Sequence, residues 1–176
     1  METFFKTIMA GENYILSKET AEKKLRRMAL EVAERNYGEA QLVLVGIKDN
    51  GSIIANKIAN YLKEVFTGEV IVTTLSLDKR QPAVITILPE IDFNNKVILL
   101  IDDVANSGKT MLYALKPFLA TYPKKIQTLA LLERTHKSFP IDVDYVGLSI
   151  STTLDEHILV EVDGADIVGA WMKKLD

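Results

Sequence analysis

The sequence predicts an α/β fold built on a doubly wound parallel sheet. Apolar, β-branched runs of strand length recur along the chain: QLVLVGI, EVIVTTLSL, KVILLI and IQTLALLE. They are almost continuously apolar rather than alternating, as expected of strands covered on both faces. Stretches with apolar residues at helical spacing fall between several of them, and that alternation implies parallel pairing.

The first helix is predicted from Ser17, an N-cap with Glu19 in the first turn, to Gly38 just past its end. Ala21, Leu25, Met28, Ala29, Val32 and Ala33 form its buried stripe. QLVLVGI, residues 41–47, is the next strand. The turn KDNG follows, and Ile54, Ile58, Tyr61 and Leu62 mark a second helix. EVIVTTLSL, 69–77, is a strand. The stretch 78–95 has polar, proline-marked ends around a VITIL core that suits a short strand. KVILLI is a strand ending on two aspartates, with a helix expected from about Thr110 to Leu119. IQTLALLE, 126–133, and the run DYVGLSI ending at 150 complete the strands. No linker or repeat divides the chain, so residues 1–176 are expected to form one domain.

The net charge of −3 gives no global basic footprint for nucleic acid, although a local patch is compatible with it. The absence of cysteine excludes disulfides, thiolate nucleophiles and cysteine-held metals. Two histidines, His136 and His157, are too few for a histidine-rich metal site. Neither an apolar run of membrane-spanning length nor a signal-peptide pattern is visible, so a cytoplasmic protein with no membrane partner is expected.

The stretch VILLIDDVANSGKT, 97–110, carries the chemistry. A triphosphate-binding P-loop needs glycine five residues before Gly108, and Asp103 stands there. A carboxylate facing phosphates excludes that reading. The alternative uses the carboxylates. The turn Ala105, Asn106, Ser107, Gly108, Lys109 and Thr110 enters a helix, so its backbone N–H groups suit a monophosphate. Ser107 and Thr110 add hydroxyl donors, and Gly108 permits close approach. Asp102 and Asp103, set back from the phosphate, can accept hydrogen bonds from vicinal hydroxyls. A ribose 5-phosphate matches that layout.

Four aliphatics, Asp102-Asp103, the aliphatic Val104, two variable residues, then Ser107-Gly108-Lys109-Thr110 resembles the phosphoribosyl-pyrophosphate signature of type I phosphoribosyltransferases. The likeness extends over RMALEVAERNYGEAQLVLVGIKDNGSIIANKIA, and over LERTHKSFPIDVDYVGLSI followed by VEVD. Within type I enzymes these stretches resemble the pyrimidine-operon attenuation regulators that double as uracil phosphoribosyltransferases. The resemblance implies a parallel sheet of about five strands with flanking helices and a small hood made of terminal segments. It also implies phosphoribosyl pyrophosphate and a nucleobase as substrates, a pyrimidine such as uracil being favoured. Mg2+ is implied as counter-ion of the substrate's pyrophosphate, held mainly through the substrate and through water on Asp102 or Asp103. A homodimer is implied as well.

By the same resemblance Ile47, Lys48, Asp49, Asn50 and Gly51 form the pyrophosphate loop. The family has Lys-Thr-Arg-Gly where this chain has Lys48-Asp49-Asn50-Gly51, so a cation is lost and an anion gained. A charge-assisted contact is worth about 1.5–3 kcal/mol, so pyrophosphate binding is expected to be weakened. A flexible loop is expected around 75–82, with Lys79 and Arg80 as substitute cations. At the base side, 6-oxopurine enzymes carry a lysine where this chain has Glu133, before Arg134-Thr135. Arg134, Ser151 and Thr152 are the candidate base contacts. Two alternatives stand beside the transferase: an RNA-binding attenuation regulator and a nucleotide-sensing protein with vestigial activity. Lys18, Lys23, Lys24, Arg26 and Arg27 give the first helix basic positions, but Glu19, Glu22 and Glu31 intersperse them, the usual pattern of a solvated face.

Overall fold

A computed structural model describes residues 13–78, 84–153 and 156–174 of the chain. The elements run β1 (Asn13–Ser17), α1 (Lys18–Arg35), β2 (Gln41–Ile47), α2 (Asn50–Val65), β3 (Glu69–Leu77), β4 (Ile85–Leu88), β5 (Val97–Ala105), α3 (Lys109–Ala114), a 3-10 turn (Phe118–Ala120), β6 (Lys125–Arg134), β7 (Tyr145–Ile150), β8 (Glu156–Asp163) and β9 (Asp166–Lys174). The main sheet has the order β4-β3-β2-β5-β6-β7. Its strands from β3 through β7 pair in parallel, while β4 lies antiparallel on the outer edge of β3.

The sheet is covered on both faces, as its unbroken apolar runs require. Leu42, Leu44, Leu99 and Ile101 face one way, against Leu25, Met28 and Val32 of α1 and Ile54, Ile58 and Leu62 of α2. Val43, Val45, Ile98 and Leu100 face the other way, against Met111 and Ala114 of α3 and Phe118. The period of two within each strand thus sorts its side chains between two cores. Ser17 caps α1 as expected, its hydroxyl accepting from Thr20 N at 3.1 Å.

A second sheet, β1-β9-β8, is antiparallel and joins the two ends of the chain. It is the hood. Leu16, Ile158, Ile167 and Ala170 sink it into the core under α1 and α2. Trp171 packs edge-on against Tyr14, with ring centroids 5.8 Å apart.

Two expectations about elements are corrected. The helix from Thr110 to Leu119 is instead a short α3 followed by a 3-10 turn. Leu115 N is shared between Met111 O and Leu112 O, Lys116 N bonds three residues back to Tyr113 O, and Pro117 cannot continue the helical ladder. The strand thought to end before the aspartates runs on to Ala105, so Asp102 and Asp103 lie within β5.

Candidate active site

The carboxyl ends of β2 and β5 are neighbours, with Gly46 opposite Ile101. The loop after β2 is drawn tight against this pair. Lys48 N donates to Leu75 O of β3 at 2.7 Å, and Ser52 Oγ lies 3.2 Å from Thr74 Oγ1. A Cβ on Gly51 would stand 2.7 Å from Ile101 O, so no other residue fits the close approach of α2 to β5. Asp49 takes φ 74°, ψ −120°, a region that a side chain enters only under strain of about 1–3 kcal/mol. Its carbonyl accepts from Ser52 N and Ile53 N, and its side chain is exposed beside Lys48.

The two aspartates differ in surroundings. Asp102 is buried, 2% exposed, and its Oδ1 accepts from Asp103 N at 3.0 Å. Of the two carboxylates only Asp103 is partly open to solvent. Asp103 is half-buried, with Oδ1 accepting from Val104 N at 2.9 Å. Its Oδ2 accepts from Asn50 Nδ2 at 2.8 Å, and that same amide nitrogen donates to Val160 O of β8 at 3.0 Å. Asn50 therefore points away from the open mouth of the loop, toward β5 and the hood.

The turn after β5 forms a concave pocket lined by Asp102, Val104, Ala105, Asn106, Ser107, Gly108, Thr110 and Met111. Gly108 has φ +79°, and the segment 138–139 closes over its back, where a Cβ would meet Phe139 O at 3.1 Å. Ser107 O accepts from Ser138 N and Phe139 N at 3.1 and 2.9 Å, which fixes the turn from behind. The amides of Asn106 and Lys109 are spent on Val104 O and Ser107 Oγ. Those of Ser107 and Gly108 meet no protein acceptor among the described residues. With α3 only six residues long, little macrodipole reinforces them, and the cradle rests on individual N–H groups and on the Ser107 and Thr110 hydroxyls.

At the end of β6, Arg134 Nη2 holds the carbonyls of Thr153 and Glu156, so this cation braces the loop leading into the hood. Its Nε and the hydroxyl of Thr152 are buried without a partner, whereas Ser151 is exposed. Glu133 is not open to a ligand as a lone acid. Lys137 Nζ pairs with it at 2.8 Å, the side chains being 11% and 15% exposed, and Ser149 Oγ donates to its other oxygen at 2.9 Å. His136 is an exposed loop residue, and His157 lies on β8, the edge strand of the hood. Lys79 and Arg80 lie outside the described residues.

The hood is tied to the helices by charge. Asp166 of β9 receives Lys18 Nζ at 2.8 Å and Lys57 Nζ of α2 at 3.0 Å, and these two ammonium groups hold its carboxyl down to about 2. Lys57 also pairs with Glu22 of α1, which accepts from the Tyr61 hydroxyl. Burial pushes the Glu22 carboxyl up, but the Lys57 and Tyr61 hydrogen bonds outweigh it and leave it below its ordinary value.

Sequence reasoning missed three functional-site partners: Val160, Lys137 and the turn of Asn50 toward Asp103. Only Lys137 carried a local signal, a cation four residues after Glu133. Among the described residues no group of three or more His, Asp or Glu gathers to hold a metal ion, and no helix is long and apolar enough to cross a membrane.

The comparisons with known proteins agree with this geometry. The family model for the phosphoribosyl transferase domain matches residues 13–164. The bifunctional protein PyrR of Ligilactobacillus salivarius is 39% identical over 168 residues, covering 87% of this chain and 93% of its own. That of Clostridioides difficile is 33% identical over 173 residues, covering 91% and 98%. Among solved structures, a hypoxanthine phosphoribosyltransferase from Trypanosoma cruzi superposes with a TM-score of 0.74, covering 90% of this chain and 95% of its own. A hypoxanthine-guanine phosphoribosyltransferase from Bacillus anthracis does so at 0.71, covering 90% and 96%. These two are 16% and 18% identical and speak for the fold alone. A parallel sheet with its cradle after β5, a hood closed by both chain ends and a sequence match along most of the length have one common source: the chain belongs to the phosphoribosyl transferase family and, within it, to the bifunctional PyrR proteins.

Proposed function

We propose that this phosphoribosyltransferase moves the 5-phosphoribosyl group from phosphoribosyl pyrophosphate to a pyrimidine such as uracil and releases pyrophosphate. One observation carries the reading: the strained loop 47–51 and the cradle 105–110 end neighbouring parallel strands, with Asp102 and Asp103 between them. The cradle, from Val104 through Thr110, takes the 5-phosphate on the Ser107 and Gly108 amides and the flanking hydroxyls. Asp103 and, from beneath, Asp102 hold the ribose. Ile47, Lys48, Asp49 and Gly51 border the pyrophosphate, while the Asn50 side chain in the same loop turns toward Asp103. Displacement at C1 passes through an oxocarbenium-like state, so positioning and negative charge serve it better than a nucleophile.

The residues present fit a Mg2+ carried by the substrate rather than a protein-held one, given the absence of a gathered ligand set among the described residues. Bound with pyrophosphate, it would neutralise the leaving group, and Asp102 or Asp103 would be the residues to hold it through water. Arg134, Ser151 and Thr152 border the base, a placement supported by the unspent Arg134 Nε and Thr152 hydroxyl. Glu133, paired with Lys137, replaces the lysine of 6-oxopurine enzymes and favours a pyrimidine. Dimerisation and a cytoplasmic location belong to the same proposal.

The relatives' name, bifunctional protein PyrR, favours a second reading beside the first: RNA-binding attenuation control of a pyrimidine operon, or sensing of nucleotides with little turnover. Against a broad basic RNA face on α1, Lys18 and Lys23 pair with Asp166 and Glu19, and Lys24 and Arg27 hold carbonyls of β7. The deciding experiment supplies phosphoribosyl pyrophosphate and Mg2+ with a panel of bases and detects the nucleotide formed. Nucleotide from uracil is expected; turnover with purines alone refutes the pyrimidine assignment. Salt-dependent binding of the pyrimidine leader RNA tests the second reading.

A further inference from the structure

We infer that Asn50 is a positioning residue of the ribose subsite, its one amide group aligning the Asp103 carboxylate and latching the hood to the loop. The inference rests on the transferase reading above. A carboxamide nitrogen has two hydrogens, and here both are committed, to Asp103 Oδ2 at 2.8 Å and to Val160 O at 3.0 Å. With Val104 N on Oδ1, each oxygen of Asp103 is fixed by one donor and retains a lone pair for a ligand hydroxyl. Asn50 is also the first residue of α2, directly after the strained Asp49. The bonds made by its side chain help hold that loop geometry.

An arginine at this position would present charge to pyrophosphate. Asn50 instead joins the loop, the carboxylate strand and the hood at a single nitrogen. What the loop gives up in charge it regains as a preset ribose carboxylate, so the departure from the family pattern has a structural use. The charged groups along the segments that meet here are Lys48 and Asp49 on the loop, Asp102 and Asp103 on β5, and Glu161 beside Val160.

The test is calorimetric titration of the full chain with ribose 5-phosphate and, separately, inorganic phosphate. Asn50→Leu keeps the bulk and removes the donors. It should weaken ribose 5-phosphate about tenfold while leaving inorganic phosphate unchanged. Asn50→Asp sets two carboxylates against each other. Its affinity for ribose 5-phosphate, taken as a ratio to wild type, should be low at pH 8 and recover toward pH 5, where the pair shares a proton and a donor returns. That acid rescue also shows that the variant is folded. Unchanged ribose 5-phosphate binding in Asn50→Leu, equal loss of both ligands, or a pH-independent ratio in Asn50→Asp overturns the inference and leaves the transferase reading intact. Failure of the wild type to bind ribose 5-phosphate overturns both.

Discussion

Asp102 and Asp103 are adjacent in the chain, yet Asp102 is buried within β5 at 2% exposure while Asp103 accepts a hydrogen bond from Asn50 across the mouth of the sheet. One signature dipeptide therefore has two physical jobs. The buried carboxylate organises the strand backbone through Asp103 N, and the outer one faces the proposed ribose subsite.

The two single variants should separate accordingly. Asp103→Asn is expected to reduce transfer by about 100-fold, with the melting temperature nearly unchanged. Asp102→Asn should lose activity and also about 1–2 kcal/mol, because a buried acceptor is altered. For a chain of this size that is a fall of several degrees, roughly 2–4 °C per kcal/mol. Steady-state kinetics and thermal melts of both proteins check it. Equal melting curves would remove the distinction.

How much of this was legible beforehand follows from the range of the interactions. Strand β2 was readable to the residue because a strand covered on both faces writes itself as a continuous apolar run, and β3, less buried, because its β-branched residues are bounded by polar turns. The turn after β5 was readable because its glycine, hydroxyls and carboxylates are contiguous. Hood strands β1, β8 and β9 were not resolved as elements, since β1 finds its partner β9 only at the far side of the sequence and β8 is only partly covered. The Asn50–Asp103 and Asn50–Val160 bonds join residues 53 and 110 positions apart, and no local pattern encodes them. The burial of Asp102 went unforeseen because the strand was cut short at the first charge.

Asp49 offers a gain on two counts. Its φ of 74° is strained for a side chain, and its exposed carboxylate stands where pyrophosphate is proposed to lie. Asp49→Gly should raise stability by about 0.5–1 kcal/mol, the relief of strain outweighing the added chain entropy. It should also lower the Michaelis constant for phosphoribosyl pyrophosphate several-fold at low salt, and less at high salt. A constant insensitive to both the substitution and the salt would mean that the loop does not border the leaving group.

Gly108→Ala should be costly in the opposite sense. The left-handed backbone and the carbonyl of Phe139, 3.1 Å from the new methyl, together disfavour it by about 1–2 kcal/mol. Any relaxation shifts the Ser107 and Gly108 amides, so affinity for inorganic phosphate should fall with stability. Titration and melting of this variant report on the cradle without any acceptor base.

Acid should loosen the hood. Asp166 titrates near 2 in the folded chain, against an ordinary value of 3.8. A depressed carboxyl contributes stability above its unfolded value and loses it as pH falls from about 4 toward 2. Glu22 is also depressed and acts in the same direction. Asp166→Asn should therefore be less stable than wild type at pH 6 and converge on it near pH 2. Urea melts across that range measure the difference. A gap that stays constant with pH would assign the loss to packing.

The hood's strand order also fixes when the site can exist during synthesis. Lys18 and Asp166, which meet in an ion pair, are 148 positions apart, and β1 finds its partner only when β9 has been made. By then the sheet strands from β2 to β7 and the turn after β5 have already been made. Closing so long a loop comes late, after the local contacts have formed. A chain that has not yet reached β8 thus presents the turn after β5 and a loop with no Val160 carbonyl to receive Asn50. Its first strand, meanwhile, is an uncovered edge open to pairing with another chain. The stretch that brings the Val160 carbonyl to Asn50 is thus translated well after the turn it completes.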